Sequence, residues 1–127
     1  KYDGVVFHRV IEGFMAQTGD VKFGNSNSSE FNLSLAGTGG SDLPNLKAEF
    51  TDIAHTRGIL SAARSADPDS ANSQFFICFD SAPHLDRQYS AFGKVTKGME
   101  FIDKIKKGDP RSGSVPNPDK IISLRSK

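Results

Sequence analysis

The 127-residue chain has no tryptophan and one cysteine, Cys78. One thiol cannot close an intramolecular disulfide. The fold must therefore rest on a hydrophobic core, and Cys78, inside Phe75-Phe76-Ile77-Cys78-Phe79, reads as a buried structural thiol. That usage suits a reducing compartment, so a cytoplasmic location is expected. An excess of charge is missing too. Lys+Arg 16 against Asp+Glu 15 leaves +1, which offers no basic field for nucleic acid and no attraction to an anionic membrane. No apolar run approaches the roughly 18–20 residues of a membrane span. His8, His55 and His84 lack ligand spacing, so neither a metal nor a cofactor is expected. Ser61 and Ser73 have no nucleophile elbow around them. Gly37-Thr38-Gly39-Gly40 lacks the lysine of a phosphate loop and reads as a turn lining a groove.

What is present is a series of short strand-like runs separated by Gly, Pro, Asn, Asp and Ser. They span 5–10, 14–18, 59–63, 74–79, 92–95 and 121–124, which suggests an antiparallel barrel or sandwich. The length suits one domain over 1–127 with one core. A helix is expected over 99–107, stopped by Gly108, and a short helical turn over 86–89. Between Val21 and Ala36 the polar run Asn25-Ser26-Asn27-Ser28-Ser29 reads as a mobile surface loop. Phe31, Leu33 and Leu35 then alternate with polar residues, as in a short extra strand.

The chain is organised around Phe7-His8-Arg9-Val10-Ile11-Glu12-Gly13-Phe14-Met15-Ala16-Gln17-Thr18-Gly19-Asp20. Strand alternation puts Val5, Phe7 and Arg9 on one face, and Glu12-Gly13 marks a turn. A guanidinium beside large apolar side chains and an amide is costly to desolvate, which points to a site rather than a core. Later come Gly58-Ile59-Leu60-Ser61-Ala62-Ala63-Arg64, Asn72-Ser73-Gln74-Phe75-Phe76-Ile77-Cys78 and His84-Leu85-Asp86-Arg87-Gln88-Tyr89-Ser90-Ala91-Phe92-Gly93-Lys94-Val95. This ordered set resembles the cyclophilin family of peptidyl-prolyl cis-trans isomerases, its bacterial branch above all, from Tyr2 to about Ile105.

The resemblance implies a mainly β fold, a closed antiparallel barrel with few helices. The two strands and helix that open the family's fold have no counterpart before Tyr2, so the domain reads as N-terminally incomplete, and 21–36 as carrying an insertion. It also implies roles. Arg9 would be the catalytic residue. Phe14, Met15, Phe76 and Leu85 would hold the proline ring, and Gln17 and Gln74 would orient Arg9 and bond the substrate backbone. Gly37 would line the groove, and Ala63 and Arg64 would hold the residue before proline. His84 stands where eukaryotic relatives often have Trp, and Tyr89 where they often have His, so cyclosporin binding should be weak. The expected partners are proline-containing peptides and unfolded protein chains, with a monomeric state if the N-terminus is complete.

Such chemistry needs no nucleophile. A prolyl amide resists rotation by a barrier of about 18–20 kcal/mol, so exchange takes roughly tens to hundreds of seconds. As the bond twists, the prolyl nitrogen gains a lone pair, and a fixed cation donating to it favours the twisted state selectively. A hundred-thousand-fold acceleration requires about 7 kcal/mol of such differential stabilisation. The alternative is a binding module that holds proline-containing segments without turnover; loss of Arg9 would have favoured it, and Arg9 is present.

Overall fold

The computed structural model describes residues 1–126. Its frame is one antiparallel sheet of five strands: β1 (Arg9–Ile11), β2 (Met15–Thr18), β3 (Ile59–Ala62), β4 (Phe75–Cys78) and β5 (Ala91–Lys94), in the order β1-β2-β4-β3-β5. β1 and β2 form a hairpin about Glu12-Gly13, where Gly13 takes a φ of +75° that a turn needs and side chains resist. β2 then pairs with β4, and β4 with β3, so segments distant in sequence become neighbours.

The register sets the two faces. Arg9 pairs with Gln17, Gln17 with Phe76 and Phe76 with Ser61, which makes one row across four strands. Ile11, Met15 and Cys78 make the next row on the same face. Met15, Phe76, Cys78, Ala82 and Leu85 form a buried cluster there, with Phe14, Ala63 and Tyr89 packed against it. Burying side chains the size of Met15 and Phe76 contributes about 1.5–3 kcal/mol each. On the opposite face Val10 and Ala16 pack with Phe79 and Val115. Phe75 also points that way, edge-on to Tyr2 and Phe92 at 5.7 and 6.1 Å. Adjacent strand residues must diverge, and Phe76 is the one that faces the groove.

Several expectations need correcting. The sheet is open rather than a closed barrel, with β1 and β5 as its edges among the described residues. The 5–10 run is broken at Phe7-His8: Val5 and Val6 make isolated bridges to Asn25 and Lys120, and the ladder starts only at Arg9. Phe7 and Arg9 consequently do not share a face, since Phe7 packs with the Val10 cluster. The 99–107 helix shortens to α1 (Met99–Ile102). Beyond it the chain tightens, with Lys104 N–H donating to the Phe101 carbonyl and Ile105 N–H to that of Ile102. A 3₁₀ turn forms at Pro83–Leu85, and the expected 86–89 turn follows it, Gln88 and Tyr89 N–H both donating to the Leu85 carbonyl, though not as a helix. Arg87 has a φ of +60°, which a helix does not accept. The 121–124 run forms no ladder; Ile121 exchanges single bonds with Gly4 and Val5, and Ile122 is exposed. Residues 31–35 form turns, not a strand, and the 25–29 stretch is tied to the body through the Val5–Asn25 bridge and Ser26 on the Gly4 carbonyl.

Candidate active site

A groove of about 510 Å³ lies over the row that begins with Arg9. Ten of the twelve expected site residues line it: Arg9, Phe14, Met15, Gln17, Gly37, Ala63, Arg64, Phe76, Leu85 and Tyr89. Gln74 lines a smaller hollow beside it, together with Gln17, Gly37, Ala63 and Arg64. His84 stays outside the groove; it is exposed and leans on Phe14 at 5.5 Å.

Arg9 is held from two directions. Its Nε donates to the Ser112 carbonyl at 3.1 Å, and its Nη1 donates to Gln17 Oε1 at 3.4 Å. Gly113, at a φ of +79°, lies so close that a Cβ there would sit 2.7 Å from Arg9 Cγ. Gln17 Nε2 then donates to Gln74 Oε1 at 2.9 Å, and Gln74 Nε2 donates to the Gly37 and Gly39 carbonyls at 2.9 Å each. Gln74 thus acts on Arg9 through Gln17 rather than directly. Arg64 spends its guanidinium differently: Nε and Nη2 donate to the Gln88 carbonyl at 3.1 and 2.6 Å, and the group lies 4.5 Å over the Tyr89 ring. Two cations therefore line the groove, one clasped to a loop carbonyl and one aimed by a glutamine pair.

The floor has its own support. His55 and Ser61 are buried, with 1% and 0% exposure. The His55 Nδ1–H donates to Asp86 Oδ1 at 3.0 Å, leaving Nε2 to accept from the Ser61 hydroxyl at 2.8 Å. The His55 backbone N–H also donates to Asp86 Oδ1, at 2.7 Å, and these bonds keep the Asp86 carboxyl below the usual carboxylate range. The order serine, histidine, aspartate matches a hydrolase triad, but Ser61 has no exposed surface to meet a carbonyl. The arrangement supports Phe76, whose ring stacks on His55.

Thr38 lines the groove with Gly37, as its turn was expected to, whereas sequence reasoning missed His8, Leu33, Ser34, Ala36, Ser112 and Ser114 as lining residues. Ser112 and Ser114 come from a loop more than a hundred positions beyond Arg9, with no local pattern to mark them. His8 is 9% exposed, neither ring nitrogen has a protein partner among the described residues, and burial pushes its pKa below the ordinary histidine value.

Comparison with known proteins fits this geometry. The family model described as "Cyclophilin type peptidyl-prolyl cis-trans isomerase/CLD" matches residues 1–126. A "Probable peptidyl-prolyl cis-trans isomerase" of Brucella abortus (strain 2308) is 58% identical over 122 residues, covering 95% of this chain and 62% of that protein. A "Peptidyl-prolyl cis-trans isomerase" of Acinetobacter baylyi is 40% identical over 137 residues, covering 99% of this chain and 66% of that protein. A crystal structure of a Cryptosporidium parvum cyclophilin type peptidyl-prolyl cis-trans isomerase, solved in the presence of the dipeptide Ala-Pro, superposes with a TM-score of 0.76 at 27% identity, covering 99% of this chain and 77% of that one. The chain spans a little over three-fifths of the Brucella relative's length. A family match over nearly every residue, joined to an arginine that lines a groove with Phe14, Met15, Phe76 and Leu85, settles the kinship: the chain belongs to the cyclophilin-type peptidyl-prolyl cis-trans isomerase family.

Proposed function

We propose that this chain accelerates rotation about Xaa-Pro peptide bonds in proline-containing peptides and unfolded protein chains. The proline ring enters the apolar hollow of Phe14, Met15, Phe76 and Leu85, with Ala63 and the stem of Arg64 beside the preceding residue. Arg9 lines the same groove. As the amide twists, the nitrogen's lone pair no longer delocalises into the carbonyl, and an Arg9 N–H donates to it. Both planar isomers lack that lone pair and gain less, so the bond favours the twisted state.

The observation that carries this reading is the way Arg9 is fixed. Two of its nitrogens are engaged by Ser112 and Gln17, so the fork is oriented before substrate arrives. The use of the dipeptide Ala-Pro with the Cryptosporidium protein supports the substrate class. We extend the proposal in two respects. The open sheet has free backbone along β5, where further strands could pair and close a barrel. Cyclosporin binding is weak, because His84 offers a small, exposed ring at the groove's rim.

The test is NMR exchange spectroscopy on a short Ala-Pro peptide with the wild-type chain and with Arg9→Ala. Exchange that collapses in the variant, whose chemical shifts otherwise stay native, supports the reading. Binding without exchange in either protein would replace it with a module that holds proline segments.

A further inference from the structure

The 21–36 segment plays no part in the reading above, yet one carboxylate anchors both of its ends. Asp20, with no exposed surface, accepts from the Lys22 and Phe23 N–H groups through Oδ1 at 3.0 and 2.9 Å. Its Oδ2 accepts from the Gly37 and Gly39 N–H groups at 2.8 and 2.9 Å. Within the segment, Asn32 N–H donates to the Phe23 carbonyl at 2.9 Å. From the other side Gln74 grips the Gly37 and Gly39 carbonyls. That same glutamine reaches Arg9 through Gln17, so the end of the segment is held in register with the guanidinium.

The anchored segment turns Leu33, Ser34 and Ala36 into the groove wall. Leu33 is 39% exposed, a large apolar side chain left at the edge of the proposed binding cleft. Beside this wall His8 lines the groove, burial lowering its pKa from the ordinary histidine value, and Gly37 closes over it so tightly that a Cβ there would lie 3.1 Å from the ring's Nε2. The two cations of the groove are already engaged, Arg9 by Ser112 and Gln17 and Arg64 by Gln88. With both guanidiniums held elsewhere, the wall adds the apolar side chains of Leu33 and Ala36 beside the hollow for the proline ring.

We infer that Leu33 and Ala36, backed by His8, form a subsite that selects an apolar side chain next to the proline of the bound peptide. The inserted segment is then a specificity element. The inference rests on the proposed peptide-binding groove, though not on turnover.

The experiment uses proline peptides carrying Leu or Ser at each of the two positions before and after proline. They are assayed for kcat/KM and, by amide-shift titration, for Kd, with the wild-type chain, Leu33→Ser and Leu35→Ser. Leu35 is the control, since it is 41% exposed on the same segment but does not line the groove. The wild type should prefer Leu over Ser at one of these positions by about tenfold. That preference should shrink to about twofold or less in Leu33→Ser and persist in Leu35→Ser. Equal handling of Leu and Ser at every position, or a preference that survives Leu33→Ser, overturns the subsite. Tight, selective binding without turnover would keep the subsite and sink the isomerase reading instead.

Discussion

The ring of His55 lies over that of Phe76, with centroids 6.2 Å apart and planes inclined by 23°. His55 is in turn tied to Ser61 on β3 and to Asp86, the residue after Leu85. One buried imidazole thus holds two walls of the groove. Truncating it leaves the Ser61 hydroxyl without its buried partner and a cavity behind Phe76. His55→Ala should cost about 2–4 kcal/mol in denaturant unfolding. The His55→Ala/Ser61→Ala pair should cost less than the sum of the single changes, because both remove the same bond. Strict additivity would show that the bond has no energetic weight.

The fork of Arg9 matters as much as its charge. Arg9→Lys keeps a cation but loses the planar geometry that serves Ser112 and Gln17 together. Turnover of an Ala-Pro peptide should fall on the order of a hundredfold or more, close to the loss in Arg9→Ala. Near-normal turnover in the lysine variant would mean that charge alone suffices.

Asp20 accepts four backbone N–H groups and donates to none of them. Asp20→Asn would turn an amide NH₂ toward two of those donors. A loss of about 2–3 kcal/mol is expected, with amide-shift changes concentrated in 22–39 and faster hydrogen exchange there. Native shifts in that segment would count against the anchoring role.

His8 gives stability a pH dependence of definite sign. Burial lowers its pKa foremost, Arg9 lowers it further, and Asp20 acts in the opposite direction. Because the folded-state pKa is below the unfolded one, the unfolded chain takes up the proton first. The contribution is fully present above the ordinary value near 6.5 and is lost as pH falls through the depressed folded value. Denaturant midpoints between pH 7.5 and 5 should decline, and the decline should be shallower in His8→Phe. An identical slope in the two proteins would remove His8 from the account.

Cys78 is fully buried, and burial raises its pKa to about 11, with Asp86 adding to the shift. The thiolate is the reactive form. Iodoacetamide at pH 8 should leave the native protein unlabelled and label it readily in denaturant, as mass spectrometry would show. Rapid native labelling would indicate frequent local opening of β4.

Local signals made much of the site legible. The long strings around Arg9 and Gln74 carried the groove residues, and strand alternation required Phe75 and Phe76 to diverge, as they do. Tertiary contacts decided the rest. Phe31, Leu33 and Leu35 alternate like a strand, but the Asp20 carboxylate and the Asn32–Phe23 bond wind the segment into turns. The 99–107 run is apolar at helical spacing, yet Lys107 Nζ caps the Asp103 and Ile105 carbonyls and the coil ends early. Ser112 enters the site through its carbonyl oxygen, a group that every residue has and no sequence pattern reports.

The relay from Arg9 to Gly37 has only one reading direction. A guanidinium donates and never accepts, so Gln17 must offer it oxygen and turn its NH₂ onward. Gln74 must then receive with oxygen and spend its own NH₂ on two carbonyls that can only accept. Flipping either amide would set donor against donor or acceptor against acceptor, so the network cannot be inverted. Neither glutamine carries a titratable proton. The aim of the guanidinium therefore rests on amide orientation and the Ser112 carbonyl, neither of which titrates, and stays the same in acid or base for as long as the fold survives.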